Sequence, residues 1–308
     1  MIVALLRILL MTSKAIIVKY IHRMRVTFFF LLALVGCAEK QSAQDGKLFS
    51  KGINKGIIDV RLVEASGLVE SIANPGYLWS VNDSGNSAEV FLIDTLAKIK
   101  LVGKLNVKNR DWEDIAIGAG PIEGKKYVYV ADIGDNLGIH DYKYIYRFEE
   151  PLLKDGPTQT ITKFDTLVIK LPDGKRDSET LMIDPTNNDL YIISKREKHV
   201  HVYLQHYPYP DTLRLAKVLK IPFTRIVAGS ISPNGQEILL KDYENIYYWK
   251  RSGEKSLIEL LAKEPIELAY KPEAQGESIC WNHDASGYYT LSESHQGKIA
   301  QLKFYKRK

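Results

Sequence analysis

Apolar and polar residues follow one another along this chain in a block that recurs five times. Each block has about five apolar or aromatic residues and then two to five polar ones. β-Branched and aromatic residues dominate the apolar part, which favours a strand over a helix. The blocks are YLWSVNDSGN from Tyr77, YVYVADIGDN from Tyr127, DLYIISKREK from Asp189, QEILLKDYEN from Gln236 and GYYTLSESHQ from Gly287. Their starts lie 50, 62, 47 and 51 residues apart, which indicates repeated structural units.

Each block is interpreted as the second strand of a larger unit. A first strand precedes it through a turn rich in Pro, Gly, Asn and Asp, such as residues 74–76 or 232–235. The predicted third strands are residues 89–93, 144–148, 201–204, 246–249 and 299–304. The predicted fourth strands are residues 100–106, 166–170, 213–221 and 257–261. Units of four antiparallel strands at this period are typical of β-propeller blades.

The sequence therefore predicts an all-β fold, a propeller of five four-stranded blades. The fifth repeat lacks a fourth strand, and residues 56–62 have strand character without a blade of their own. We expect this N-terminal strand to complete the last blade and close the ring, which removes exposed sheet edges. The long interval at residues 137–165 leaves a sixth blade open. An open β-sandwich is the structural alternative, and the regular repetition argues against it.

The first 36 residues are predicted to be a lipoprotein signal peptide. Residues 27–35 are apolar, Arg23 and Arg25 precede them, and Gly36-Cys37 follows. A basic start, a short apolar run and a small residue before the cleavage point are typical of secretory signals, and cleavage before a cysteine resembles the bacterial lipoprotein pattern. A transmembrane anchor is the alternative, but the run is shorter than the roughly 20 residues that span a bilayer.

The expected domain organisation follows from this signal. Residues 1–36 form the signal, and residues 1–23 suggest that translation begins at Met24. Residues 37–54 are polar and read as a flexible tether, and residues 55–308 form the propeller. Acylated Cys37 would then anchor the protein to a lipid bilayer.

Charge and cysteine content exclude several functions. The chain has 42 Lys and Arg against 37 Asp and Glu, but five of the basic residues and none of the acids lie in the first 36 positions. The remaining 37 basic and 37 acidic residues balance, so a basic nucleic-acid-binding surface is not expected. If Cys37 carries lipid, Cys280 is the one remaining thiol, which excludes an internal disulfide and a cysteine metal cluster.

Four of the five repeats carry a glutamate at the start of the first strand, and the fourth repeat has Gly229 in that region. In a propeller the first strand lines the central channel, so its start and the end of the second strand lie on the same face. The predicted cation ligands are Glu64, Glu113, Glu179 and Glu277. The predicted ligand-binding residues further out are Asn82, Asp83, Asp132, Asp135, Asn136, Lys195, Arg196, Lys241, Asp242 and Glu293.

Clustered carboxylates raise one another's pKa, and a bound cation removes that cost. Oxygen ligands in this number suit Ca²⁺ or Mg²⁺, so calcium is the expected cofactor. Two other interpretations remain open for the glutamates: they hydrogen-bond the neighbouring blade and hold the ring together, or they are simply solvated. The basic residues Lys195, Arg196 and Lys241 either form a solvated rim or bind an anion.

The segments E-A-S-G-L, L-W-S-V-N-D-S-G-N, D-W-E-D-I-A, V-A-D-I-G-D-N and S-E-T-L resemble exported bacterial propellers of the "esterase-like activity of phytase" and SdiA-regulated-like groups. Related propellers include calcium-dependent phytases and metal-dependent lactonases, which place carboxylates at the channel mouth. The resemblance implies that role for Glu64, Glu113, Glu179 and Glu277. Gly229 and the lack of a complete phytase ligand motif depart from it.

Three functions follow as expectations. The first is a membrane-anchored, monomeric propeller that binds a cation, an oxygen-rich small ligand or an envelope protein at the acidic mouth. The second is a calcium-dependent hydrolase of phosphate esters or other esters, in which the metal activates water. The third is an assembly scaffold of the cell envelope. For each of these functions we expect the protein at the outer membrane.

Overall fold

Five sheets of four or five strands make up the part of the chain that the computed structural model describes, residues 48–297 and 299–308. The signal and Cys37 lie outside the described residues. In chain order the strands are β1 (Ile53–Ile57), β2 (Ala65–Glu70), β3 (Tyr77–Asn82), β4 (Glu89–Asp94), β5 (Ile99–Leu105), β6 (Trp112–Ala119), β7 (Lys126–Asp132), β8 (Lys143–Glu149), β9 (Thr158–Ile161), β10 (Asp165–Ile169), β11 (Ser178–Ile183), β12 (Leu190–Ser194), β13 (Val200–Gln205), β14 (Thr212–Leu213), β15 (Ala216–Ile221), β16 (Ala228–Ile231), β17 (Glu237–Lys241), β18 (Ile246–Lys250), β19 (Ile266–Leu268), β20 (Ser278–Trp281), β21 (Gly287–Leu291) and β22 (Gln301–Lys306). One α-helix, α1 (Leu257–Leu261), and 3₁₀ helices at Val60–Leu62 and Leu153–Asp155 complete the described elements.

The sheets are the five blades of a propeller. Their strand orders are β2-β3-β4-β5-β9, β6-β7-β8-β10-β14, β11-β12-β13-β15, β16-β17-β18-β19 and β20-β21-β22-β1. The first strands contact one another in the cycle β2, β6, β11, β16, β20 and back to β2, so the ring is closed. The five-bladed propeller predicted from the repeats is confirmed.

An N-terminal strand completes the last blade, as predicted. β1 pairs antiparallel with β22, with Ile53 opposite Phe304 and Ile57 opposite Gln301. The strand begins before the predicted residue 56, and Val60–Leu62 forms a 3₁₀ turn instead, capped by the Asp59 side chain. Residues 48–54, which the sequence assigns to the tether, belong to the folded unit that starts at Leu48.

One predicted strand is wrong: residues 257–261 form helix α1 and not the outer strand of blade four. Ser256 caps this helix by accepting a hydrogen bond from Glu259 N at 3.1 Å. This Ser-x-x-Glu spacing is a helix-start signal, and Leu257, Leu260 and Leu261 share one buried face. The outer strand of blade four is β19.

The interval at residues 137–165 holds no sixth blade among the described residues. Part of it forms β8, and β9 adds to the outer edge of blade one by pairing parallel with β5. The extra strand explains the longer spacing between the second and third repeats.

The hydrophobic core consists of five clusters, each between two adjacent blades. Trp79 of blade one packs with Trp112 of blade two, for example, and both are fully buried. Leu240 of blade four likewise packs with Ile193 of blade three. Because each blade buries apolar side chains against both neighbours, the ring holds the starts of the first strands in fixed positions.

Candidate functional site

A polar cavity of about 310 Å³ opens at one mouth of the central channel. Its walls come from the starts of the first strands and from the loops that follow the second strands, as the propeller geometry predicts. The lining residues are Asp83, Glu113, Asn136, Glu179, Lys195, Arg196, Arg225, Tyr243, Gln275, Glu277 and Glu293.

Most of the residues predicted from the sequence meet in this cavity. The structure brings together Asp83, Glu113, Asn136, Glu179, Lys195, Arg196, Glu277 and Glu293. The other predicted residues, which do not line the cavity, are Glu64, Asn82, Asp132, Asp135, Lys241 and Asp242.

Glu64 is exposed outside the cavity lining, where its carboxylate accepts a hydrogen bond from Asn86. Asn82 is buried and bonds the backbone of the segment that precedes β2. Its Oδ1 accepts from Glu64 N at 3.2 Å, and its Nδ2 donates to Arg61 O at 2.7 Å. Asn82 therefore positions the chain, and the predicted ligand role of both residues is not supported by their placement.

Asp132 and Asp135 are buried, and they support the loop between β7 and β8. Asp132 forms an ion pair with Arg110 at 3.2 Å. Asp135 accepts hydrogen bonds from the backbone amides of Ile139 (2.8 Å) and His140 (3.1 Å). These contacts shape the loop that carries Asn136 into the cavity.

Lys241 is fully buried beneath the cavity rim. Its ammonium donates to the carbonyl oxygens of Asp242 (2.8 Å) and Gly276, and burial lowers its pKa to about 8. Asp242 in turn accepts from the amide of Asn245 at 2.6 Å, which closes its own turn. The basic residue of blade four thus supports the segment that precedes Glu277 and is not free to bind an anion.

Two groups of carboxylates converge at the cavity floor, where Asp83, Glu113 and Glu179 line the cavity and the remaining two acids do not. In each group the oxygen atoms lie within 4.8 Å of one another, and Glu113 belongs to both. The groups are Asp83, Asp111 and Glu113, and Glu113, Asp177 and Glu179.

Sequence reasoning missed Asp111 and Asp177, although a signal for them exists. Each lies two residues before a predicted glutamate, as Asp111-Trp112-Glu113 and Asp177-Ser178-Glu179. The repeated Asp-x-Glu spacing in two blades is that signal, and in the structure each of these aspartates has an oxygen within 4.8 Å of a glutamate oxygen. Arg225, Tyr243 and Gln275 were also missed, and Gln275 holds the same spacing relative to Glu277.

β-Bulges place the two central glutamates. In blade two Trp112 pairs with Asp132 and Asp114 with Ala131, which leaves Glu113 as the extra residue. The register shift between Ser178 and Thr180 leaves Glu179 in the same position in blade three. A bulge turns its extra residue out of the regular alternation, and here both point into one cavity.

The acids are held at high electrostatic cost. Burial, together with the neighbouring Glu179 and Asp83, raises the pKa of Glu113 well above its usual value. Burial raises the pKa of Glu179 to about 8, although Lys195 acts in the opposite direction. It also raises the pKa of Asp83 to about 6, and burial with Glu277 raises that of Glu293 to about 9.

One oxygen in this cluster has no partner. Glu179 is 2% exposed and binds Lys195 through Oε1, while Oε2 is buried without a hydrogen-bond partner among the described atoms. A buried carboxylate oxygen without a donor normally costs folding free energy.

Cationic side chains also line the cavity, next to the acids. Burial lowers the pKa of Lys195, but the charges of Glu179, Tyr243 and Glu277 together more than offset this, and the pKa rises. Arg196 binds Asp177 Oδ2 at 2.6 Å and also contacts Asn136. The Arg225 guanidinium lies 5.8 Å from the centre of the Tyr243 ring. The cavity therefore holds acidic and basic groups in contact with one another.

A side chain one or two positions after the glutamate position links some blades to the next. In three blades this side chain bonds the backbone of the next first strand, which satisfies one of its buried polar groups. The bonds are Ser66 Oγ to Glu113 O (2.6 Å), Leu181 N to Asp114 Oδ2 (2.8 Å) and Trp281 N to Ser230 Oγ (3.1 Å). These residues form a polar layer below the acidic cavity.

Comparisons with known proteins do not place the chain in a family. No family model matches the chain, and no curated protein matches it, so they do not assign it to the exported propeller groups that its segments resemble. Among the matching solved structures is the "Crystal structure of Nidogen/Laminin Complex", with a TM-score of 0.43 and 9% identity over 74% of this chain and 72% of that chain. Within the described residues, no helix is long and apolar enough to cross a membrane.

Proposed function

We propose that the propeller binds a divalent cation, calcium by preference, in the carboxylate floor of its polar cavity, together with an oxygen-rich anionic ligand. The observation that carries the proposal is the buried Glu179 Oε2, which has no donor and lies in a group with Glu113 and Asp177. A cation bound there would supply the missing partner and reverse the mutual repulsion of the acids.

The donor set favours a hard cation. The cavity lining offers carboxylate and amide oxygens, and it includes no His or Cys among the described residues. Ca²⁺ takes six to eight such oxygens in flexible geometry, and Mg²⁺ takes fewer and keeps more water. The carboxylates come from loop and bulge positions of several blades, which suits the larger and more adaptable ion.

The cationic side chains of the cavity support an anionic second ligand. Lys195 Nζ lies 4.0 Å from Glu277 Oε1, and Arg196 and Arg225 line the same space. An anion there would contact the cation on one side and the guanidinium groups on the other. Phosphate and carboxylate compounds have the required oxygens.

The test is the thermal stability of the protein with Ca²⁺, with Mg²⁺ and with a chelator. A ligand that binds only the folded state raises its melting temperature. We expect Ca²⁺ to raise it, and Glu113→Gln and Glu179→Gln to abolish the increase while the fold is kept. Glu64→Gln is the matched control, because Glu64 is exposed outside the cavity lining. Equal stability with Ca²⁺ and with chelator would refute the proposal.

A calcium-dependent hydrolase is the second candidate, and the pairing of acids and bases in one cavity favours it. A bound cation would polarise a phosphoryl or carbonyl oxygen and lower the pKa of a bound water. Generic phosphoester and ester substrates test this in the presence of calcium. Turnover that Glu113→Gln abolishes would support hydrolysis, and calcium binding without turnover would leave a binding protein.

We further propose attachment to the cell envelope, at the outer membrane, through acylated Cys37. The short apolar run before Gly36-Cys37 supports it. Metabolic labelling with palmitate should mark the full chain but not the Cys37→Ser variant, and fractionation should move that variant out of the membranes. Labelling of both proteins would contradict the assignment. The scaffold role uses the same anchoring, and crosslinking in cells would identify an envelope partner.

A further inference from the structure

A second cavity, of about 510 Å³, occupies the opposite end of the central channel. Its walls are the later residues of all five first strands and the hairpin turns that follow them. Leu68, Ile115, Leu181, Met182, Ile231 and Trp281 give it a mainly aliphatic surface. Of the residues that link the blades, Ser230 lines this cavity, while Ser66 and Asp114 line neither cavity. The two ends of the channel therefore offer different chemistry.

The size and the lining of this cavity match a small-molecule site. Ligand cavities typically measure about 300–1,000 Å³ and are mostly apolar with a few polar groups. Aliphatic walls hydrate poorly, so an apolar ligand gains free energy by displacing water from them.

The charges at the rim select the polar end of the ligand. Three ionisable side chains line this cavity near its opening: Glu70, Lys126 and His283. Glu70 accepts a hydrogen bond from the backbone N of His283 through Oε2 at 2.6 Å, and its Oε1 lies 3.0 Å from Nδ1 of the same residue. Lys126 is exposed and has no ion-pair partner within residues 48–297 and 299–308. A positive charge without a partner at the mouth of an apolar space complements an anionic head group.

We propose that this cavity binds a single-chain amphiphile with a carboxylate head, such as a medium-chain fatty acid. The chain enters the channel between the five first strands, and the carboxylate stays at the rim beside Lys126. The site is independent of the carboxylate cavity at the other mouth.

Decanoate is the probe, with isothermal titration calorimetry of the full chain carrying Cys37→Ser, so that neither lipid nor detergent competes. We expect saturable binding of one decanoate per chain, unchanged by calcium or chelator. Decanol and decyltrimethylammonium have the same chain length without the negative charge. Both should bind at least about tenfold more weakly than decanoate, a difference of about 1.4 kcal/mol in binding free energy. Equal binding of the three would refute the role of Lys126.

Two variants locate the site. Lys126→Glu should weaken decanoate at least about tenfold without weakening decanol, because it changes only the rim charge. Lys108→Glu is the matched control, an exposed lysine outside this lining that should not change either ligand. Ile231→Trp should fill the channel and remove binding of both ligands, with the melting temperature reported alongside to confirm folding.

The inference fails if decanoate does not bind saturably or if Ile231→Trp leaves its binding intact. Light scattering on the same samples gives the mass in solution. A dimer that Ile231→Trp dissociates would show that a second copy of the chain occupies this face and would also overturn the proposal.

Discussion

Lys195 binds Glu179 through one carboxylate oxygen, and the other oxygen, Oε2, is buried without a hydrogen-bond partner. The ion pair compensates only part of the charge that Glu179, Glu113 and Asp177 bring into the cavity floor. A bound cation or protons on the acids would compensate the rest.

Without calcium, the stability of the protein should fall as the pH rises, whereas the stabilisation by calcium should grow. Glu179 and Glu293 have pKa values of about 8 and about 9, against a usual value of 4.5. The folded state therefore holds these protons more tightly than the unfolded state. Their contribution is complete below about pH 4.5 and is lost as the pH rises through about 8 to 9. In the presence of a chelator, the melting temperature should therefore fall as the pH rises from about 4.5 to about 9.

Calcium requires deprotonated ligands, so the increase in melting temperature that it causes should grow as the pH rises from about 5 to about 9. Thermal scans in chelator and in calcium across this range provide the measurement. Glu293→Gln should flatten the decline seen in chelator. A calcium effect that shrinks with rising pH would contradict the carboxylate site.

Asp111→Asn should reduce calcium affinity at least about tenfold, because it removes one charged oxygen from the group with Asp83 and Glu113. Calcium titration calorimetry measures the loss. Asp141→Asn is the control, since Asp141 is exposed and pairs with Lys175 at 3.4 Å away from the carboxylate groups. Equal losses in the two variants would show a general charge effect and not a ligand.

The polar layer predicts opposite outcomes for two similar changes. Ser230→Ala removes the acceptor of Trp281 N and should lower the free energy of unfolding by about 1–3 kcal/mol. Thr180 has a buried Oγ1 with no hydrogen-bond partner among the described atoms, so Thr180→Val should leave stability unchanged or raise it. Urea unfolding gives both values. If Thr180→Val is the more damaging change, the assignment of the layer is wrong.

The closure of the ring depends on Phe49 as well as on β1. Its ring is 5% exposed and lies 5.0 Å from Tyr288 and 5.8 Å from Trp281, measured between ring centres. Phe49→Ala should lower the free energy of unfolding by about 3–5 kcal/mol. Val60→Ala, at a position 83% exposed, should change it by less than about 0.5 kcal/mol. A small effect at Phe49 would show that β1 closes the blade without it.

Local pattern predicted the strands well, because alternation and turn residues act over a few positions. Residues 166–170 were predicted as a strand and form β10 (Asp165–Ile169). Residues 257–261 were predicted as a strand from their apolar composition, but the Ser256–Glu259 cap and the helical spacing of three leucines determine a helix. That signal was present in the sequence, and its helical period was missed.

By itself, the sequence determined the repeat, the number of blades and the strand that closes them, since each depends on periodic hydrophobicity and on one unpaired segment. It also identified Glu113, Glu179 and Glu277 as residues of one site. Only the tertiary structure decided which polar neighbours join them. The sequence pattern places Asp132 and Lys241 on the same face as these glutamates, yet both are buried and support nearby loops. The positions of side chains, to within a few ångströms, depend on the β-bulges, the paths of the loops and the closure of the ring. All three depend on contacts between blades that are far apart in the chain.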